Sequence, residues 1–419
     1  MQILAVSYAL LLATTALLCR LLPAPFRPAL LAVASLTFYA LGSWRHALGI
    51  VGLMSAVWLV AAFLRETSAA AQTTRRLVTA LAISACVVVL GYFKYRGFVE
   101  DSLASLLRVL RLDTFLRERP AAALATSPAI PLGISFFTFE FIHYLVDAHR
   151  RALPHSADDA SPTSLRARLS DFVQFAAFAL FFPTLLAGPI KRYQQFQAAP
   201  RVFASDVAFG LSRILLGLFK KLALADSVAG IALRLSIPDQ VTPLGLWLAM
   251  YAYAAQIYFD FSGYSDLAIG AGRLLGYRVP ENFDWPYLAA DLPSFWRRWH
   301  SSLSGWIRDY LYIPLGGNRG SAWRVAANLI VVMALCGLWH GPAWHFVIWG
   351  VWHGLGLAAT HLWRRSTDGD ANEQAQTGWR RILRIAVTFH FVCFGWLWFA
   401  APSATAALTG LARMFLLAR

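Results

Sequence analysis

Three histidines, His340, His345 and His353, fall in ALCGLWHGPAWHFVIWGVWHGLGLA, a run otherwise apolar and rich in tryptophan. A fourth, His300, lies in SFWRRWHSSLSGW. Imidazole titrates near about 6.5, so such a ring can take up and release a proton at neutral pH. His340 stands before Gly341-Pro342, a helix-breaking pair expected to end one helix and present the ring to a cavity. His345, His353, His361 and His390 read instead as structural histidines with satisfied rings. Zinc would want two histidines one helical turn apart and a further ligand. Pro342 interrupts the His340/His345 spacing, and neither HExxH nor a Cys/His cluster occurs, so no metal site is expected.

Other polar residues recur in apolar surroundings from Ile130 onward. In IPLGISFFTFEFIHYLVDAHR, Glu140, His143 and Asp147 share one helical face. That face must point into protein or a wet cavity, as a structural seam or as a lining for substrate. FFPTLLAGPIKRYQQF reads as a helix stop with Lys191 and Arg192 at the headgroups. YAAQIYFDFSGYSDLAIGAGRLLGY carries Asp260 and Asp266 beside Ser262, Tyr264 and Ser265; Gly272 and Gly276 form a GxxxG contact face. It reads as a broken or re-entrant segment. Its glycines do not make a nucleotide loop, because no strand precedes them. In DLPSFWRRWHSSLSGWIRDYLYIPLGGNRG, Phe295, Trp299, Leu303, Trp306 and Ile307 form an apolar stripe, predicting one amphipathic helix that carries His300 and ends at Pro314, Gly316 and Gly317.

These residues must be positioned by helices. The chain of 419 residues is 58% hydrophobic and only 14% charged, where soluble domains carry about 25% charged residues. Apolar runs near the roughly 20 residues that span a bilayer occur at 3–22, 29–44, 47–64, 77–93, 130–147, 172–188, 207–235, 243–262, 325–341, 345–363 and 381–400. The expected fold is an all-α polytopic membrane protein. The first run lacks the basic stretch of a cleaved signal and reads as an uncleaved helix. Residues 98–117 have the pattern of a helix lying flat on the membrane. The formal charge of +15 is concentrated in loops, at Arg65/Arg75/Arg76, Arg150/Arg151, Lys191/Arg192 and Arg364/Arg365. That arrangement fits anionic headgroups and the positive-inside rule, with an outside N-terminus, and argues against nucleic acid. The four cysteines are scattered through apolar segments and read as small apolar filler. No linker divides the chain, which reads as one membrane domain with N-terminal helices over 1–129 and a polar-dotted core over 130–403.

The strings PLGISFFTFEFIHYLVDAHR, FFPTLLAGPIKRY, YFDFSGYSDLAIGAGRLLGYRVPENFDWPYLAADLPSFWRRWHSSLSGWIRDYLYIPLGGNRG, NLIVVMALCGLWHGPAWHFVIWGVWHG and FHFVCFGWLWFAAPS occur in this order. Together they resemble the membrane-bound O-acyltransferase (MBOAT) family, and within it the bacterial alginate O-acetylase branch. The resemblance implies a bundle of about 11 transmembrane helices, with re-entrant and interfacial helices, around a central tunnel near two histidines. Carried over by motif, the family's near-invariant histidine is His340 of LWHG, and a second tunnel histidine is His300 of RRWH. The chain stops soon after the FGWLWF helix, where acetylases usually continue. In length it is nearer the D-alanyl-transfer branch, while its motif wording stays with the acetylases.

The resemblance implies transfer of acetyl from cytoplasmic acetyl-CoA, with no bound cofactor, to a hydroxyl of an exported polysaccharide or cell-envelope glycan. A base must remove the hydroxyl proton, and an oxyanion needs a donor, for which His300, Ser301 or a backbone N–H is a candidate. Asp266 or Asp309 could orient a ring, and Glu140 and His143 could line the tunnel. No Gly-x-Ser-x-Gly elbow points to a serine acyl-enzyme. The expected surroundings are the lipid bilayer of the bacterial cytoplasmic membrane and a periplasmic SGNH-type partner. The alternatives are D-alanyl transfer from a carrier-protein phosphopantetheine thioester, a solute transporter or channel, and a catalytically idle scaffold. Against transport, the two halves show no internal symmetry.

Overall fold

The computed structural model describes residues 2–111, 129–153, 164–185, 187–196, 203–366 and 378–416. These residues are overwhelmingly helical. Their only β-type pairing is an isolated antiparallel bridge between Phe283 and Trp299. Five described helical stretches are long and apolar enough to cross a bilayer: Ala24–Gly42, Trp44–Glu66, Gln72–Val109, Ala322–His340 and Trp379–Ala400. The protein is an all-helical membrane protein. Its chain divides into two compact units, 1–208 with 271–279, and 209–270 with 280–419.

The first unit contains α1 (Gln2–Leu21), α2 (Arg27–Gly42), α3 (Trp44–Glu66), α4 (Gln72–Leu90), α5 (Arg96–Val109), α6 (Ile134–His149) and α7 (Leu165–Ala179). Serine side chains start two of them: Ser43 accepts from the His46 N–H and Ser164 from the Ala167 N–H. Leu10, Leu48, Leu59, Leu81 and Val88 each leave more than half of their surface uncovered, and such a skin is solvated by acyl chains. A wide turn at Gly91–Tyr95 joins α4 to α5 without interruption. The helix expected over 98–117 is present to Val109, and its part from residue 112 lies outside the described residues.

Two basic residues expected at headgroups are instead structural. Arg75 is buried and donates to the carbonyls of Leu64, Thr67, Ala148 and His149, satisfying the ends of α3 and α6. Lys191 is also buried, against Glu140. The physical reason is the same for both: a cation is retained inside where orphan carbonyls or a carboxylate need it.

The second unit contains most of α8 (Ala204–Leu218), which runs through a wide turn at Phe219–Ala225 into α9 (Asp226–Ala232), and most of α10 (Pro243–Leu274). It also contains α11 (Leu292–Arg298), α12 (Ser301–Ile307), α13 (Ala322–His340), α14 (Trp344–Ser366), α15 (Trp379–Ala400) and α16 (Ala404–Met414). The segment expected to be broken at 253–277 is continuous helix to Leu274. Its glycines serve close approach: a Cβ at Gly263 would meet the Gly217 carbonyl, and one at Gly270 the Gly210 carbonyl. The contact face is therefore Gly263/Gly270 and not Gly272/Gly276; Gly276 takes a left-handed turn (φ 82°) just beyond the helix.

The single amphipathic helix expected from the Phe295–Ile307 stripe is two helices, separated at Trp299-His300. At the other histidine the sequence expectation holds. α13 ends at His340, Gly341 is extended, and α14 starts at Trp344. Side chains at Gly337 and Gly350 would collide with the backbones of Phe346 and Met333, so glycine lets this hairpin close tightly.

Candidate active site

His300 is placed by a local interruption with identifiable causes. Asp291 caps α11, accepting from the Ser294 N–H at 2.7 Å, with Pro293 in the first turn. The helix lasts seven residues. Segment 282–284 then captures the chain: the Asp284 N–H donates to Arg298 O and the Ser301 N–H to Asn282 O, both at 3.0 Å. Between these bonds Trp299 is extended and His300 turns left-handed (φ 45°, ψ 51°) before α12 resumes. A left-handed non-glycine residue costs on the order of 1–3 kcal/mol and persists only where its surroundings over-determine it.

The side chains reinforce the kink. His300 is 2% exposed, and its Nδ1 lies 2.9 Å from Asn282 Oδ1. The same oxygen accepts from Ser302 Oγ at 2.8 Å and from the Ser302 backbone N–H at 3.3 Å. Asn282 Nδ2 donates to Ser265 Oγ at 3.2 Å, and Ser265 Oγ donates to Phe261 O at 3.0 Å. The Phe261 ring meets the imidazole edge-on at 4.7 Å. Burial, and then electrostatic repulsion from His340, hold His300 well below the ordinary histidine pKa, favouring the neutral ring. Asn282, fully buried, was absent from the sequence candidates although it lies in the quoted VPENFDW; a buried asparagine carries no periodic signal.

His340 is half-buried at the end of α13. Its ring is flanked by Trp339, Trp349 and Phe399 at 4.7, 5.1 and 5.1 Å, the last two edge-on. Of the histidines read as satisfied, His345 pairs with Trp398 O and His390 with Ala386 O and Tyr251 Oη, as expected. His353 differs. It is fully buried against Phe295, Trp296 and Trp349, and neither ring nitrogen has a partner among the described residues; His361 Nε2 also lacks one. Aromatic walls supply dispersion but no acceptor, so close packing has here displaced hydrogen bonding.

The expected carboxylates take supporting places. Asp266 is buried between Arg213 (2.6 Å) and Lys220 (2.7 Å). Arg213 also reaches Glu281 at 2.7 Å, tying α8 and α10 to the segment that carries Asn282. Asp309 pairs with adjacent Arg308 at 2.7 Å. The orienting role expected of an aspartate thus falls, at His300, to Asn282. Ser301 bonds to the neighbouring segment, its N–H to Asn282 O and its Oγ to Glu281 O at 2.9 Å.

In the first unit Glu140 pairs with Lys191, which also reaches Thr184 Oγ1 at 2.8 Å. His143 Nε2 accepts from the Tyr193 N–H at 3.1 Å, and Asp147 accepts from Gln194 Nε2 at 2.5 Å. This face holds the 184–194 loop, the structural seam that was one of its two readings.

The model of MBOAT, the membrane-bound O-acyltransferase family, matches residues 52–399, a stretch that includes Asn282, His300 and His340. The chain belongs to this family. It is therefore a membrane-bound enzyme, an O-acyltransferase. Among the relatives of this O-acyltransferase, a probable alginate O-acetylase of Azotobacter vinelandii is 40% identical over 94% of the chain and 73% of its own length. A peptidoglycan O-acetyltransferase of Helicobacter pylori is 34% identical over 90% of the chain and 72% of its own length. A teichoic acid D-alanyltransferase of Streptococcus thermophilus is 28% identical over 74% of the chain and 79% of its own length.

Proposed function

We propose that this O-acyltransferase moves an acetyl group from cytoplasmic acetyl-CoA across the bacterial cytoplasmic membrane for O-acetylation of an exported polysaccharide or cell-envelope glycan. The observation that carries the reading is a pair of histidines close enough to act on each other electrostatically, His300 buried and His340 half-buried among aromatic rings, in a chain related to two named glycan O-acetylases. His340 takes the proton of the acceptor hydroxyl as its oxygen attacks the thioester carbonyl. The C–O bond forms, the C–S bond breaks, and the proton passes to the departing thiolate. The aromatic walls keep competing water from the thioester.

The reading includes the finer architecture implied by the family: one integral membrane domain with its core over 130–403, about 11 transmembrane helices with re-entrant segments, and a central tunnel reaching both histidines. A periplasmic SGNH-type protein is its proposed partner for final delivery. A second reading, D-alanyl transfer from a carrier-protein thioester, draws on the 28% identical relative. Dependence on acetyl-CoA or on a charged carrier protein separates the two.

The test is base-released acetate from envelope glycan in a deletion strain carrying wild type or His340→Ala at equal expression. Acetate restored by wild type alone is the expected result. Equal acetate in both strains removes His340 from the reaction, and acetate unchanged by the deletion overturns acetyl transfer.

A further inference from the structure

The Asn282 network determines which end of the His300 ring can do chemistry. Two backbone groups, whose donor and acceptor character is not negotiable, terminate it. At one end the Phe261 carbonyl accepts the Ser265 hydroxyl proton, so Ser265 Oγ is left to accept and must face an N–H of Asn282. At the other end the Ser302 backbone N–H points at the amide atom facing His300, which must be oxygen. Both anchors orient the Asn282 amide the same way. An oxygen facing Nδ1 at 2.9 Å can only accept, so Nδ1 carries the proton. Every hydrogen bond of the His300 ring among the described residues is made at Nδ1; Nε2 has no hydrogen-bond partner among them.

We infer that Asn282 is a positioning residue that holds His300 as the Nδ1–H tautomer, so that Nε2 offers a lone pair and accepts a hydrogen bond in acyl transfer instead of donating one to the oxyanion. The oxyanion donor is then a different group. The left-handed backbone at His300 serves this end, because the Ser301 N–H to Asn282 O bond draws residues 300–302 onto the asparagine that both His300 Nδ1 and Ser302 address. A partnered amide sets the tautomer without adding charge, whereas a buried carboxylate would promote the charged ring.

The part assigned to Asn282 in the reaction rests on the acyl-transfer reading; the tautomer does not, and it can be read without turnover. Full-length protein in detergent, labelled with 15N in its histidine rings, is examined by NMR, and the His300 resonances are identified by their loss in His300→Gln. The expected spectrum has a proton on Nδ1 and a bare Nε2; a proton on Nε2 overturns the inference. In Asn282→Ala the preference is lost and acetyl-CoA-dependent labelling of membranes falls by about 10²–10⁴-fold at saturating acetyl-CoA, with little change in KM. Asn282→Asp retains an acceptor for Nδ1–H but no donor for Ser265; its carboxylate favours the charged ring, so most of the rate is expected back at alkaline pH, where Nε2 is bare again. An Asn282→Asp protein as inactive as Asn282→Ala at that pH, though folded, would reduce Asn282 to a structural support. Should the tautomer be as expected while Asn282→Ala transfers normally, the part in the reaction is wrong. Should His340→Ala also transfer normally, the failure lies with the acyl-transfer reading itself.

Discussion

The two units each bury a polar cluster, and the clusters are built to different ends. Around α6, Glu140, His143 and Asp147 each grip a group of the 184–194 loop. Around the α11–α12 kink, one nitrogen of His300 is held by Asn282 while the other has no hydrogen-bond partner among the described residues. A polar group engaged with a loop contributes to folding. A nitrogen without a partner among the described residues, kept at the expense of a left-handed backbone, contributes no hydrogen bond to folding and fits the proposed acyl transfer. Burial alone does not separate the two, since Glu140 and His300 are both nearly inaccessible.

This contrast breaks most easily at His300. His300→Gln keeps a polar side chain beside Asn282 but removes the titrating ring, and acetyl incorporation is expected to fall by about 10²–10⁴-fold at normal protein levels. A mutant with near-normal incorporation would place His300 with the structural histidines. Next in size is Glu140→Ala. It strands the buried Lys191 ammonium and should lower unfolding free energy by about 3–5 kcal/mol, read as a large drop in Tm in detergent. Turnover per folded molecule should hold; a matching loss of turnover would move Glu140 into the reaction path. The smallest effect is expected at His353. Its ring nitrogens forgo hydrogen bonds of about 1 kcal/mol each, so His353→Leu should change stability by no more than about 1 kcal/mol and leave transfer intact. A strong loss of transfer would show that the unpartnered ring is used.

Much of the architecture was legible in the sequence. The apolar runs located most of the helices, Gly341-Pro342 marked the end of α13 at His340, and the spacing of Glu140, His143 and Asp147 put them on one buried face. The failures share a cause. YAAQIYFDFSGYSDLAIGAGRLLGY read as a broken or re-entrant segment with a contact face at Gly272 and Gly276, whereas it is helix to Leu274 and its Gly263 and Gly270 are contact surface for the backbone of α8. The stripe from Phe295 to Ile307 read as one helix because its period continues across Trp299-His300, although segment 282–284 takes the hydrogen bonds that helix would need.

The sequence by itself therefore determined that this is a helical membrane protein, roughly where its helices lie, and that His300 and His340 are unusual. Apolar patterning and chain sterics act within a few residues and can be read along the chain. Only the tertiary structure decided that Lys191 is an internal counter-ion, that His353 lacks partners among the described residues, and that Asn282 sets the tautomer of His300. Those outcomes depend on donors and acceptors meeting across 18 residues at Asn282–His300 and 51 at Glu140–Lys191. Such pairings have no period, and exist only once the chain has closed around them.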